Sequence, residues 1–148
     1  MYIERLDGPN EVKGISPVGS RLPIGVGSGG LALLAAMEPR EAEALLCVNE
    51  HRYRAFGRHT SSILRSRLLE AQDVGYAKTI SFVRPDMGSL GVVVPQIGQI
   101  PKFAVSIVFD IGKVGPFEDL LSEVRAAASQ VARALTLTDS RPQGSALS

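Results

Sequence analysis

The chain has one cysteine, Cys47, in 148 residues. No internal disulfide can therefore hold it together, and a lone thiol suits a reducing compartment. The neighbours Leu45, Leu46 and Val48 are apolar and predict that this thiol is buried. Neither sign of charge is in excess: 16 basic and 15 acidic side chains give a formal net charge of +1. Such a balance supplies no field to hold the chain on nucleic acid or an anionic membrane, which excludes a free-standing DNA-binding module. No apolar run reaches the about 18 to 20 residues that span a bilayer. The N-terminus Met1-Tyr2-Ile3-Glu4-Arg5 has the pattern of neither a signal nor a transit peptide. A cytoplasmic protein with no membrane partner is expected. Histidine is scarce too, with two in the chain, both among arginines. No G-x-S-x-G elbow occurs and Cys47 falls in mid-helix, so nothing has the pattern of a nucleophilic active site, and no enzyme is expected.

Glycine is where the sequence is rich. Gly25-Val26-Gly27-Ser28-Gly29-Gly30 runs straight into Leu31-Ala32-Leu33-Leu34-Ala35, so a flexible loop opens into an apolar helix whose first N–H groups face an incoming ligand. The partial positive charge of that helix end favours an anion. The loop also spells G-x-G-x-x-G, but the dinucleotide fingerprint needs a buried strand before it and a strand ending in an acid about 20 residues later. Pro23 spoils the first requirement and a helix beginning near Pro39 spoils the second. A Walker lysine is absent, since Leu31 and Ala32 follow Gly30. An enzyme or nucleotide-binding domain using the 25–30 loop stays as an alternative, as does a purely oligomerising module.

Along the chain, residues 2–6 and 11–15 flank the turn formers Asp7-Gly8-Pro9-Asn10 and predict an opening hairpin. Helices are expected at about 28–37, all-round apolar and therefore buried, and at 39–54, with Pro39 in its first turn and Leu45, Cys47 and Val48 inside. A third, capped by Thr60, Ser61 or Ser62 and carrying Leu64, Leu68 and Ala71 inward, ends at Gly75. Strands follow at 76–83, 90–94 and 103–109, the last with a bulky face of Phe103, Val105, Ile107 and Phe109 and a small face of Ala104, Ser106 and Val108. The last helix, 116–137, has an apolar stripe of Phe117, Leu120, Leu121, Val124, Ala128, Val131 and Leu135. Residues 1–137 thus form one domain and 138–148 a disordered tail. The element order is that of an α+β fold with a mostly antiparallel sheet.

Two weaker constellations are present. His51, Arg52, Arg54, Arg58, His59, Arg65 and Arg67 accumulate with no acid between Glu50 and Glu70, but they share no helical stripe, so a solvated face is favoured over an anion surface. Cys47 and His51 lie one helical turn apart, yet no third ligand has suitable spacing, and no metal is expected.

Taken together, Gly19-Ser20-Arg21-Leu22-Pro23, the glycine loop and its helix, Val74-Gly75-Tyr76-Ala77, residues 88–95 and Phe103-Ala104-Val105-Ser106 resemble the C-terminal effector-binding domain of IclR-type bacterial transcriptional regulators, over about residues 2–135. The resemblance implies a GAF-like (profilin-like) curved antiparallel sheet flanked by helices, with a small-molecule pocket on one sheet face. It implies ligand-binding roles for Leu22, Ser28, Gly29, Gly30, Thr79, Ser89, Gly91, Ser106 and Val108. It also implies no cofactor, assembly into dimers or tetramers, and DNA contact only through an N-terminal winged helix-turn-helix that is missing here, so that the chain is expected to be an excised or naturally truncated sensor. The sequence departs from the family at Leu31, where a basic residue is common, at Gly91, where cysteine or serine is common, and at Val108, which replaces a serine. The loop 84–87 also looks longer than usual. These departures predict a roomier, less polar pocket for a partly apolar carboxylate, bound on the N–H groups of residues 28–30 and oriented by Ser106.

Overall fold

A computed structural model of the chain describes residues 1, 6, 8, 17–57, 60–80, 84–96, 98 and 101–139. The expected hairpin at 2–6 and 11–15, Arg58 and His59, the end of the strand expected at 76–83, and residues 140–148 of the expected tail lie outside the described residues.

The local signals for helix starts and stops act where they stand in the sequence. Gly27, at φ 78° and ψ 155°, holds the extended left-handed backbone that opens α1, Ser28–Ala35, a conformation that only glycine adopts without strain. Helix α2, Pro39–Tyr53, has proline in its first turn and a Glu38 side chain that accepts from the Arg40 N–H at 2.8 Å. A 3₁₀ turn, Arg54–Phe56, follows. Thr60 caps α3, Ser61–Val74, through Oγ1, which accepts from the Ile63 N–H at 3.2 Å, and Gly75 ends it in the left-handed region.

The described sheet has three antiparallel strands in the order β1 (Ala77–Ile80), β2 (Met87–Val93) and β3 (Ala104–Asp110). Thr79 stands opposite Ser89 and Ser89 opposite Val108; Ala77 stands opposite Gly91 and Gly91 opposite Ser106. Because side chains alternate across a strand, all six residues share one face. Helix α4, Phe117–Asp139, packs on the other face, where Leu90, Val92, Val94 and Phe109 meet Leu121, Val124 and Ala128. The first face carries α1, which is sandwiched between the sheet and the α2–α3 pair, with Leu31, Leu34, Leu46, Tyr53, Leu64 and Ala77 at 0–1% exposure in one cluster. This is the α+β, antiparallel architecture expected.

Two helix faces differ from expectation. In α2 the buried residues are Ala42, Leu46, Asn49 and Tyr53, whereas Cys47 is exposed and Val48 is 69% exposed. The polar residue in the inward stripe is Asn49, which satisfies itself locally: Nδ2 donates to the Leu45 carbonyl at 2.8 Å and Oδ1 accepts from Arg52 at 3.1 Å. An asparagine at that position hides the stripe and turns the apparent apolar face by one residue. In α4 the residues packed on the core near the C-terminus are Ala132 and the expected Leu135, while Val131 is 39% exposed. The helix also runs to Asp139, two residues into the expected tail.

Candidate functional site

Helix α1 starts directly on the sheet. A Cβ built on Gly91 would overlap the Ser28 carbonyl and come within 2.8 Å of the Gly29 nitrogen, so the α1 backbone rests on β2 with no side chain between them. One residue further along α1, a Cβ on Gly29 would lie 3.3 Å from Ser106 Oγ and 3.9 Å from the Ala104 methyl, so the same turn also borders β3. Gly30 faces back to the loop, against the Gly25 nitrogen at 3.3 Å. The loop is fixed from the other side by Tyr53, whose hydroxyl donates to the Ile24 carbonyl at 2.8 Å. Burial holds the Tyr53 phenol above its ordinary pKa, against a smaller opposing effect of Arg52.

Beyond the α1 footprint the same sheet face continues as a further row. Thr79 Oγ1 and Ser89 Oγ share a hydrogen bond of 2.5 Å across β1 and β2, Val108 completes their row on β3, and all three are half-buried. Ser106 is exposed beside Gly29. Thr79, Ser89, Ser106, Val108, Ser28, Gly29, Gly30 and Gly91 therefore gather at one end of α1. Leu22 packs half-buried on the α1–α3 core cluster.

Two expectations about this site change. The room expected at Gly91 is filled by the Ser28–Gly29 backbone. Leu31, where the resemblance led to the expectation of a departure lining the pocket, is 1% exposed and packs in the helical core. Sequence reasoning also passed over Tyr53 as the clamp of the glycine loop; its place on the same helical stripe as Ala42 and Leu46 is the signal that would have found it.

The other constellations do not converge. Arg65 Nη2 pairs with Glu43 Oε1 at 2.6 Å and donates to Cys47 Sγ at 3.6 Å. The hydrogen bond from Arg65 holds the Glu43 carboxyl below its ordinary pKa against an opposing desolvation, with a lesser contribution from Cys47. Arg52 is engaged by Asn49. Among the described residues no three metal-ligating side chains come together, and no helix is long and apolar enough to cross a membrane. Residues 17–27 form no strand, so G-x-G-x-x-G lacks the strand that a dinucleotide site requires.

The bacterial transcriptional regulator IclR C-terminal family matches residues 1–133. Among curated proteins, none matches the sequence. Among solved structures, the transcriptional regulator YaiJ superposes with a TM-score of 0.75 at 21% identity, covering 92% of this chain and 78% of that one. IclR of Thermotoga maritima gives 0.73 at 20% identity, covering 88% of this chain and 54% of the other. An IclR homologue from Microbacterium hydrocarbonoxydans complexed with 4-hydroxybenzoate gives 0.68 at 27% identity, covering 88% and 55%. The chain thus spans about half the length of the last two. With its α+β fold and with 133 of its residues inside the family match, the chain belongs to the IclR family of bacterial transcriptional regulators, whose C-terminal domain it carries.

Proposed function

We propose that this chain is the small-molecule sensing and oligomerising domain of its regulator, that its effector is an organic acid, and that operator DNA is contacted by a separate winged helix-turn-helix. The observation that carries this reading is the half-buried row of Thr79, Ser89 and Val108, next to the row on which the glycine-rich first turn of α1 rests. The first N–H groups of a helix have no partner inside it and attract a carboxylate. Exposed Ser106 adds a hydroxyl at the seam. The 4-hydroxybenzoate bound by the Microbacterium hydrocarbonoxydans homologue is an acid of this class.

An effector in this position touches the helical layer and the sheet at once. It therefore favours whichever arrangement of the two binds it more tightly, and so biases how the domains pack in a dimer or tetramer and how the attached DNA-binding domains are spaced.

Calorimetric titration with 4-hydroxybenzoate and a panel of aromatic and aliphatic carboxylates tests the proposal. A side chain at position 29 would press on Ser106 Oγ, 3.3 Å from its Cβ. At least one acid is expected to saturate the chain, and Gly29→Leu to weaken it by about tenfold or more. An acid whose affinity survives Gly29→Leu would remove the site.

A further inference from the structure

We infer that the Thr79–Ser89 pair is a specificity element that selects an effector with a neutral hydroxyl at the end remote from its carboxylate and rejects one with a second carboxylate there; this rests on the sheet face beside α1 being the effector site. The row pattern sets the distance. Ser106 lies in the row that meets α1, and Thr79, Ser89 and Val108 form the next row on the same face, two residues along each strand. Two residues of extended chain span about 7 Å, the reach of a para-substituted aromatic ring. Gly29 lies over Gly91 on β2 as well as beside Ser106 on β3, so a ligand held there and lying along the strands ends at Ser89 of the hydroxyl pair, with Val108 on its other side.

The hydrogen-bonding inventory sets the selectivity. Each hydroxyl has one O–H and two lone pairs. The Thr79–Ser89 bond takes one O–H and one lone pair, which leaves the pair one donor and three acceptor positions. Such an acceptor-rich pair is satisfied by a group that donates as well as accepts, which a phenol or alcohol does and an ionised carboxylate does not. Val108 closes the row with an apolar side chain, so it supplies no further donor. One row on, Asp110 stands on the same face, its Oδ1 accepting from the Gly112 N–H at 2.9 Å and its Oδ2 3.5 Å from Lys113 Nζ. Asp110 thus offsets the charge of Lys113, which leaves that cation less able to draw a second carboxylate to this end of the face.

Titration of the 148-residue chain with benzoate, 4-hydroxybenzoate and terephthalate reads this out. The expected order is 4-hydroxybenzoate roughly five- to tenfold tighter than benzoate, with terephthalate weakest. Thr79→Val and Ser89→Ala should each bring the 4-hydroxybenzoate to benzoate ratio close to one, and Thr79→Ser, which restores the hydroxyl, should restore the ratio. Equal binding of the three acids, terephthalate as tight as 4-hydroxybenzoate, or a ratio that persists in both hydroxyl-free variants overturns the inference while leaving the site. Failure of all three acids to bind overturns this inference, and failure of the whole carboxylate panel overturns the site reading with it.

Discussion

Gly91 on β2 lies directly beneath the peptide that joins Ser28 to Gly29, so that the backbone of α1 and the backbone of the sheet meet without a side chain between them. That contact fixes how deep α1 sits over the row of Ala77, Gly91 and Ser106. Any side chain at 91 forces the two layers apart.

Gly91→Ser is therefore expected to destabilise the chain by about 1–3 kcal/mol, the usual magnitude of overpacking. Gly115→Ala, at a glycine with nothing within 4 Å of an added Cβ, serves as the neutral control. Thermal denaturation of the two variants side by side checks this; equal melting temperatures would mean that α1 yields freely.

The inward face of α2 predicts a contrast between adjacent residues. Leu46 is 0% exposed and Cys47 is exposed. Leu46→Ala should cost about 2–5 kcal/mol, and Cys47→Ala should fall within about 0.5 kcal/mol of the parent. In the folded chain an aromatic disulfide reagent should titrate Cys47 about as fast as in urea. A thiol protected until unfolding would restore the buried placement.

Tyr53 gives a pH-dependent expectation. Its hydroxyl anchors Ile24 in the loop before α1, and Tyr53→Phe should cost about 1 kcal/mol near neutral pH. Burial raises the phenol's pKa in the folded chain. The neutral form is thus favoured by folding: the stabilisation is fully present below the unfolded value of about 10 and is lost as pH rises through the higher folded value. Denaturant melts of the parent and the Tyr53→Phe variant should converge above about pH 10. A constant gap across that range would show that the phenol ionises equally in both states.

The parts of the fold that were legible in the sequence are those set by one residue and its neighbours. Pro39 and Thr60 open helices and Gly75 closes one because the preference lies in the local backbone itself. The small and bulky faces of β3 were legible from alternation alone, and the face bearing Ala104 and Ser106 meets α1. What escaped depends on partners far away in the chain. The inward stripe of α2 runs through Asn49, a polar residue satisfied within its own turn. The contact of Gly91 with Ser28 joins positions 63 residues apart, and nothing at either position announces the other. The pairing of Thr79 with Ser89 follows from the register across the β1–β2 connection, whose loop length sequence patterns do not determine.

The account centres on the face beside the first turn of α1, and amide chemical-shift mapping on the labelled chain tests it most directly. On addition of 4-hydroxybenzoate the amide signals of Ser28, Gly29, Gly30, Ser89 and Ser106 are predicted to move together along one saturation curve, while those of the solvent face of α4, such as Ser122 and Ser129, stay in place. Saturable shifts confined to residues away from α1 and the 79–89–108 row would contradict it.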